Sequence, residues 1–243
     1  MREESIAGFQ VRLTGGPDRD GGGDGPLVVL MHGFGAPGSD LVPLWRQLDV
    51  PSATRFAFPE AILDLATVSP SYAGARAWWM IDIARLQLAA MSGRVAQLER
   101  EVPPGVADAH GRVVALLDEL EARFAAPSSR VVLGGFSQGA MLACDVVLRA
   151  QRSFAGLVLM SGALMSATDW EPLAAARRGL PVFQSHGHSD PILPFESAER
   201  LHGLLTRAGC NVDWVPFQGG HAIPPRVLDG LSAFLRGVSG EAQ

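Results

Sequence analysis

Cysteine is scarce in this chain: Cys144 and Cys210 are the only two among 243 residues. They can form at most one bridge, and Cys144 falls in an apolar helical segment where reduced, buried cysteine is common. Both read as structural thiols, which excludes a small disulfide-stapled scaffold. No uninterrupted apolar run reaches membrane-spanning length, and the opening MREESIAGFQVRL is charged where a secretory signal needs roughly 7–15 apolar residues. The expectation is a cytoplasmic protein with no membrane span. Runs of basic residues are missing too, and a formal charge of −5 with a pI near 5.7 offers no general attraction to phosphate backbones or anionic lipid. Nucleic acid is therefore not an expected partner. There is no internal repeat and no His/Cys/carboxylate cluster of the kind that holds a metal. Biased composition is confined to the Gly/Asp stretch 15–25 and a short polar tail.

What is abundant is apolar material. With 47% hydrophobic and 19% charged residues, the chain can bury a large core, and its length suits one α/β domain over 1–243. Short apolar runs recur as LVVLM (27–31), RFAF (55–58), RVVLGG (130–135), GLVLM (156–160), PVFQSH (181–186) and VDWVPF (212–217). Runs that are continuous rather than alternating suit parallel strands covered on both faces. Helical patterns lie between them, such as Val113, Leu116, Leu117, Leu120 and Phe124, and Val227, Leu228, Leu231, Phe234 and Leu235 near the end. Alternating strands and helices predict an α/β class with a mainly parallel central sheet and helices on both faces. Residues 5–13 alternate like an edge strand, and 15–25 read as an exposed hairpin turn. The stretch 83–105 is longer than a crossover needs, a small helical insertion whose stripe (Ile83, Leu86, Met91, Val95, Leu98) reads as core-facing.

Gly135-Phe136-Ser137-Gln138-Gly139 fits G-x-S-x-G, in which a serine on a tight strand-to-helix turn projects its hydroxyl above a sheet. The string alone is weak, with roughly 0.2 chance occurrences in a chain of this composition, and gains weight only from a strand–turn–helix setting. RVVLGG leads into Ser137 and AMLACDVVLRA continues from it without Gly or Pro, so that setting is present. A serine hydroxyl needs a base, and the base needs a carboxylate to fix its tautomer. After Ser137 come His186, His188, His202 and His221. His221, in Gln218-Gly219-Gly220-His221 between the last apolar run and the final helix, is the expected base; His202 and His186 read as packing or structural residues and His188 as solvated. Asp190, on the turn-rich loop after the penultimate run, is the expected acid, ahead of Asp145, Asp169, Asp213 and Asp229. The oxyanion formed on attack needs preorganised N–H donors. The backbones of Gln138 and of Phe34, in Met31-His32-Gly33-Phe34-Gly35, are the expected pair, with His32 bracing the loop.

With these residues assembled, the sequence resembles the phospholipase/carboxylesterase family of α/β-hydrolases, which includes bacterial carboxylesterases and acyl-protein thioesterases. The resemblance rests on HGFGAPGSDL (32–41), GGFSQGAMLA (134–143), SGAL (161–164), HGHSDPILP (186–194) and GGH (219–221), in that order, over nearly the whole chain. It implies an α/β-hydrolase fold and cleavage of carboxylic esters or thioesters through an acyl-enzyme, with Ser137 as nucleophile, His221 and Asp190 as its partners, the Phe34 and Gln138 backbones as oxyanion hole, and no metal or organic cofactor. The family's Trp-aromatic-Asp element near the acyl site corresponds to Trp78-Trp79-Met80-Ile81-Asp82, with Trp78 the candidate substrate-binding residue and Trp79 its alternative. The expected partner is a small-molecule or acyl ester substrate, and a homodimer is left open. Two other classes fit the same residues: a non-catalytic module binding a small ligand in the old cleft, and a peptidase or amidase using the same triad.

Overall fold

The computed structural model describes residues 1–240. Its first half runs β1 (Arg2–Ile6), β2 (Phe9–Gly15), β3 (Leu27–Met31), α1 (Leu44–Gln47), β4 (Arg55–Pro59), β5 (Leu63–Asp64), β6 (Arg76–Ala77), α2 (Ile83–Met91), α3 (Val95–Leu98) and α4 (Val106–Phe124). The second continues with β7 (Val131–Phe136), α5 (Gln138–Arg149), β8 (Gly156–Met160), α6 (Ala167–Ala174), β9 (Pro181–Gly187), α7 (Phe195–Arg207), β10 (Asn211–Phe217) and α8 (Pro225–Val238). Eight strands form one sheet in the order β1-β2-β4-β3-β7-β8-β9-β10. From β4 to β10 all neighbours are parallel, while β1 and β2 add an antiparallel edge.

β3, β7 and β8 are apolar throughout because both faces are covered. Side chains alternate across a strand, so Leu27, Val29 and Met31 of β3, Val131 and Leu133 of β7 and Leu157 and Leu159 of β8 enter one core with residues of α4, α5, α6 and α7. Their neighbours Val28, Leu30, Val132, Val158 and Met160 enter a second core beneath α1 and α8. This matches the expected mainly parallel sheet with helices on both faces. Among the described residues no helix is long and apolar enough to cross a membrane.

Three local expectations change. The alternating stretch 5–13 is not one strand: Ala7 (φ 48°) and Gly8 (φ 81°) turn the chain so that Ile6 faces Phe9 across a hairpin, and a left-handed alanine carries no turn signature. The stretch 15–25 is not a hairpin turn, because β4 separates β2 from β3. It is held from within by Arg55, 1% exposed, whose guanidinium donates to the carbonyls of Gly23, Gly25 and Phe124. The stripe in 83–105 is not core, since Ile83 and Met91 are exposed. Polar anchors hold that segment instead: buried Glu99 takes both Nε and Nη2 of Arg200 at 2.8 and 2.6 Å, and its carbonyl accepts the Ala167 N–H at 2.7 Å.

Helix α5 lies so close to β3 that a Cβ on Gly139 would stand 2.0 Å from the Met31 carbonyl oxygen. No side chain fits there. Gly139→Ala is expected to destabilise the fold by about 1–3 kcal/mol or more, as overpacked cores do, read as a lower denaturant midpoint with an unchanged m-value.

Candidate active site

The loops that follow β3, β7, β9 and β10 all leave from the carboxyl end of the parallel strands, the edge at which open α/β sheets bind ligands. Ser137 joins β7 to α5 with φ 55° and ψ −118°. A non-glycine residue there costs about 1–3 kcal/mol, and it is held by its N–H, which donates to the Met160 carbonyl at 2.9 Å, and by its carbonyl, which accepts the Met141 N–H. The Ser137 side chain makes no capping bond to its own helix. It is free for chemistry.

Asp190 and His221 meet. His221 Nδ1 lies 2.6 Å from Asp190 Oδ2, and the carboxylate is fully buried while the imidazole is 12% exposed. The two loops are pressed together at Gly187, where a Cβ would fall 2.3 Å from the Gly220 carbonyl oxygen. Their backbones are also joined by the His188 N–H to Phe217 and the Ser189 N–H to Gly219. Asp190 Oδ1 accepts the N–H groups of Ile192 and Leu193 at 2.8 and 3.0 Å. Burial by itself would raise the Asp190 carboxyl; the contacts with His186, His221 and the two N–H groups outweigh it and hold the group well below the usual carboxylate range. The acid stays ionised. The His221 ring packs on Phe136, next to Ser137, at 4.7 Å between centroids. Among the described residues no hydrogen bond joins Ser137 Oγ to His221, a bond that in apo enzymes is often long and tightens with substrate.

The loop after β3 abuts the serine: a Cβ on Gly33 would stand 3.3 Å from Ser137 Cβ. Among the described residues the Phe34 N–H donates to no protein acceptor, and the N–H of Gln138, at the first position of α5, lacks an intrahelical acceptor. His32 does brace this loop. Its Nε2 accepts the Ala61 N–H at 3.1 Å, which puts the proton on Nδ1, 2.8 Å from the Gly33 carbonyl, and burial keeps the imidazole below its ordinary range.

Trp78 is 6% exposed, and its indole N–H is already donated to the His32 carbonyl at 2.8 Å. The buried Gln138 side chain accepts the Trp78 N–H (3.0 Å) and donates to the Trp79 carbonyl (2.8 Å). Reading by motif misses this double role of Gln138; its signal is a polar side chain at the start of a helix whose following residues, Gly139 to Cys144, are apolar. Of the remaining candidates, Asp145 is buried and satisfied by His110, Arg149 and Trp170, and Asp169 pairs with Arg149. His202 stacks on Trp214, and His188 is exposed against Phe195. His186, expected to be structural, lies 3.3 Å from Asp190 Oδ2.

Known proteins resemble this chain over most of its length. Residues 22–239 match the family model described as Phospholipase/Carboxylesterase. Acyl-protein thioesterase 1 of Gibberella zeae is 31% identical over 216 residues, covering 86% of this chain and 88% of the relative. Among solved structures, esterase PE8 is 29% identical with a TM-score of 0.74, over 93% of this chain and 99% of its own. A carboxylesterase from Mesorhizobium loti shares the fold at 18% identity and a TM-score of 0.71, over 100% of both chains.

The Asp190 environment has a consequence for stability against pH. A carboxyl whose folded pKa is depressed contributes stability that is present above its unfolded value, about 3.9, and is lost as pH falls towards the folded one. Asp190→Asn removes that contribution. The stability gap between wild type and Asp190→Asn is therefore expected to narrow as pH is lowered from about 5 to about 2.5, measured as the difference in urea midpoints; a constant gap would contradict the carboxylate contacts.

Proposed function

The chain belongs to the phospholipase/carboxylesterase family of α/β-hydrolases and is a serine hydrolase acting on esters or thioesters, and on that footing we propose that it works through an acyl-enzyme on Ser137 with His221 as base and Asp190 as acid. The observation that carries the reading is the 2.6 Å contact of His221 Nδ1 with a buried, ionised Asp190, because it leaves Nε2 as the basic nitrogen. Ser137 Oγ attacks the acyl carbonyl as its proton passes to His221 Nε2. The charge on the carbonyl oxygen is met by the N–H groups of Phe34 and Gln138, one such donor being worth about 3–4 kcal/mol. The bond to the alcohol or thiol then breaks, and His221 returns the proton to that leaving group. Water, deprotonated by the same imidazole, releases the acid and restores Ser137.

The strained Ser137 backbone supports this assignment, since such strain persists where surrounding structure over-determines it and tends to mark functional sites. A pure binding module has no use for a free serine hydroxyl, an oriented imidazole and an unpaired N–H on one edge. Nothing in the site favours an amide over an ester leaving group.

Ser137→Ala is expected to keep the fold and lose turnover by roughly 10⁴ or more, and a fluorophosphonate should label wild type but not this variant. Asp190→Asn should lose about 10⁴ in turnover, the cost of the corresponding change in a serine protease, with unchanged circular dichroism. Turnover of p-nitrophenyl esters and acyl thioesters of increasing chain length reports the depth of the acyl site. Labelling at a different serine would overturn the assignment.

A further inference from the structure

β9 carries polar side chains inside a buried strand. Val182, Gln184 and His186 share the face towards α7, where Gln184 Nε2 donates to the Ala198 carbonyl at 2.9 Å. His186, two residues on, is fully buried. Its Nε2 lies 2.9 Å from the Leu193 carbonyl oxygen, which can only accept, so Nε2 carries a proton. Nδ1 finds no partner among the described residues. An apolar side chain would fill this space without leaving a buried ring nitrogen unpaired; what it could not supply is the Nε2–H.

That N–H reaches the candidate acid in two ways. It lies 3.3 Å from Asp190 Oδ2, the same oxygen that faces His221. It also closes a ring through Leu193, whose N–H donates to Asp190 Oδ1 at 3.0 Å while its carbonyl accepts from His186. The turn 190–193 is thus held from both ends of one residue. We propose that His186 is a positioning residue for the reaction: its Nε2–H fixes the 190–193 turn and supports the Asp190 carboxylate in the orientation that meets His221. This rests on Asp190 being the triad acid. His186 touches neither substrate nor Ser137 in this scheme and acts only through Asp190.

Two kinds of substitution separate this role from simple packing. His186→Phe keeps a ring and removes the donor; His186→Gln removes the ring and keeps an N–H at nearly the reach of Nε2. Leaving the buried Leu193 carbonyl unpaired and removing the 3.3 Å contact with the Asp190 carboxylate should lower kcat of His186→Phe by about tenfold or more, with KM within about twofold because no substrate contact is lost, while His186→Gln recovers to within about threefold of wild type. If His186→Phe does not fold, judged by circular dichroism and melting, His186→Asn takes its place, since its shorter amide stops near the Nδ1 position and leaves the Nε2 position without a donor. Asp190→Asn is measured alongside. A donor-less variant with wild-type kcat, or a His186→Gln as slow as the donor-less variant, overturns the proposal while an inactive Asp190→Asn leaves the triad reading intact. An Asp190→Asn that keeps more than about a tenth of wild-type turnover, against the ~10⁴ loss expected, overturns both.

Discussion

The architecture of this site depends on one backbone reversal. At Ser137 the chain passes from a central parallel strand, buried as far as Gly135, into a helix within a single residue, at φ 55° and ψ −118°. A serine does not rest there by preference. What holds it is sheet and helix on either side: its N–H is donated to Met160 of β8, and α5 is drawn against β3 where Gly139 leaves no room for a Cβ. Because α5 cannot lift away, the side chain has one direction available, out over the carboxyl edge of the sheet. The same approach brings the loop after β3 against the serine, so the proposed nucleophile and oxyanion donors are set by one packing constraint rather than by separate devices.

Around this turn the protein spends polar side chains on bracing. Gln138 is the clearest case. Its backbone N–H is left unpaired at the start of α5, while its amide oxygen and nitrogen tie down Trp78 and Trp79 in turn. Trp78 in turn takes the His32 carbonyl, and His32 spans from Gly33 to Ala61. The chain of contacts from α5 to the β3 loop is therefore continuous and buried, which suits donors that must be in place before charge develops. Removing one member leaves others unsatisfied, so these residues couple and their effects should not add.

The architecture was largely legible in the sequence because burial on both faces writes itself as short, non-alternating apolar runs, and those runs became the parallel strands, with VDWVPF at the half-exposed edge. Legibility failed where the chain departed from residue preference. Ala7 turns a hairpin in a left-handed conformation that alanine does not advertise. The stripe of 83–105 has helical spacing but little core to face, because Glu99, Arg200 and the Ala167 N–H anchor the segment instead. Motif order found the Asp190–His221 contact, since loops after successive parallel strands arrive at one edge. The contacts of Gln138, Trp78 and His186 were not legible in this way. Each is a polar group in apolar surroundings, and its partner is mostly a backbone atom, which no residue identity marks.

The acid loop shows what such hidden contacts accomplish. A carboxylate buried in apolar surroundings tends to take up a proton, because desolvation penalises the charge. A neutral Asp190 could donate to His221 Nδ1 rather than accept from it, and the tautomer with a basic Nε2 would be lost. Asp190 is fully buried and so exposed to this failure. Burying it removes the competition of water for its bond to His221, and ringing it with two backbone N–H groups and two imidazoles restores the charge that burial threatens. The backbone donors come from the turn that the acid itself begins, whose last residue is held by His186. A short loop between β9 and α7 thus keeps one carboxylate dry, charged and aimed, and the basicity of Nε2 on His221 follows from that.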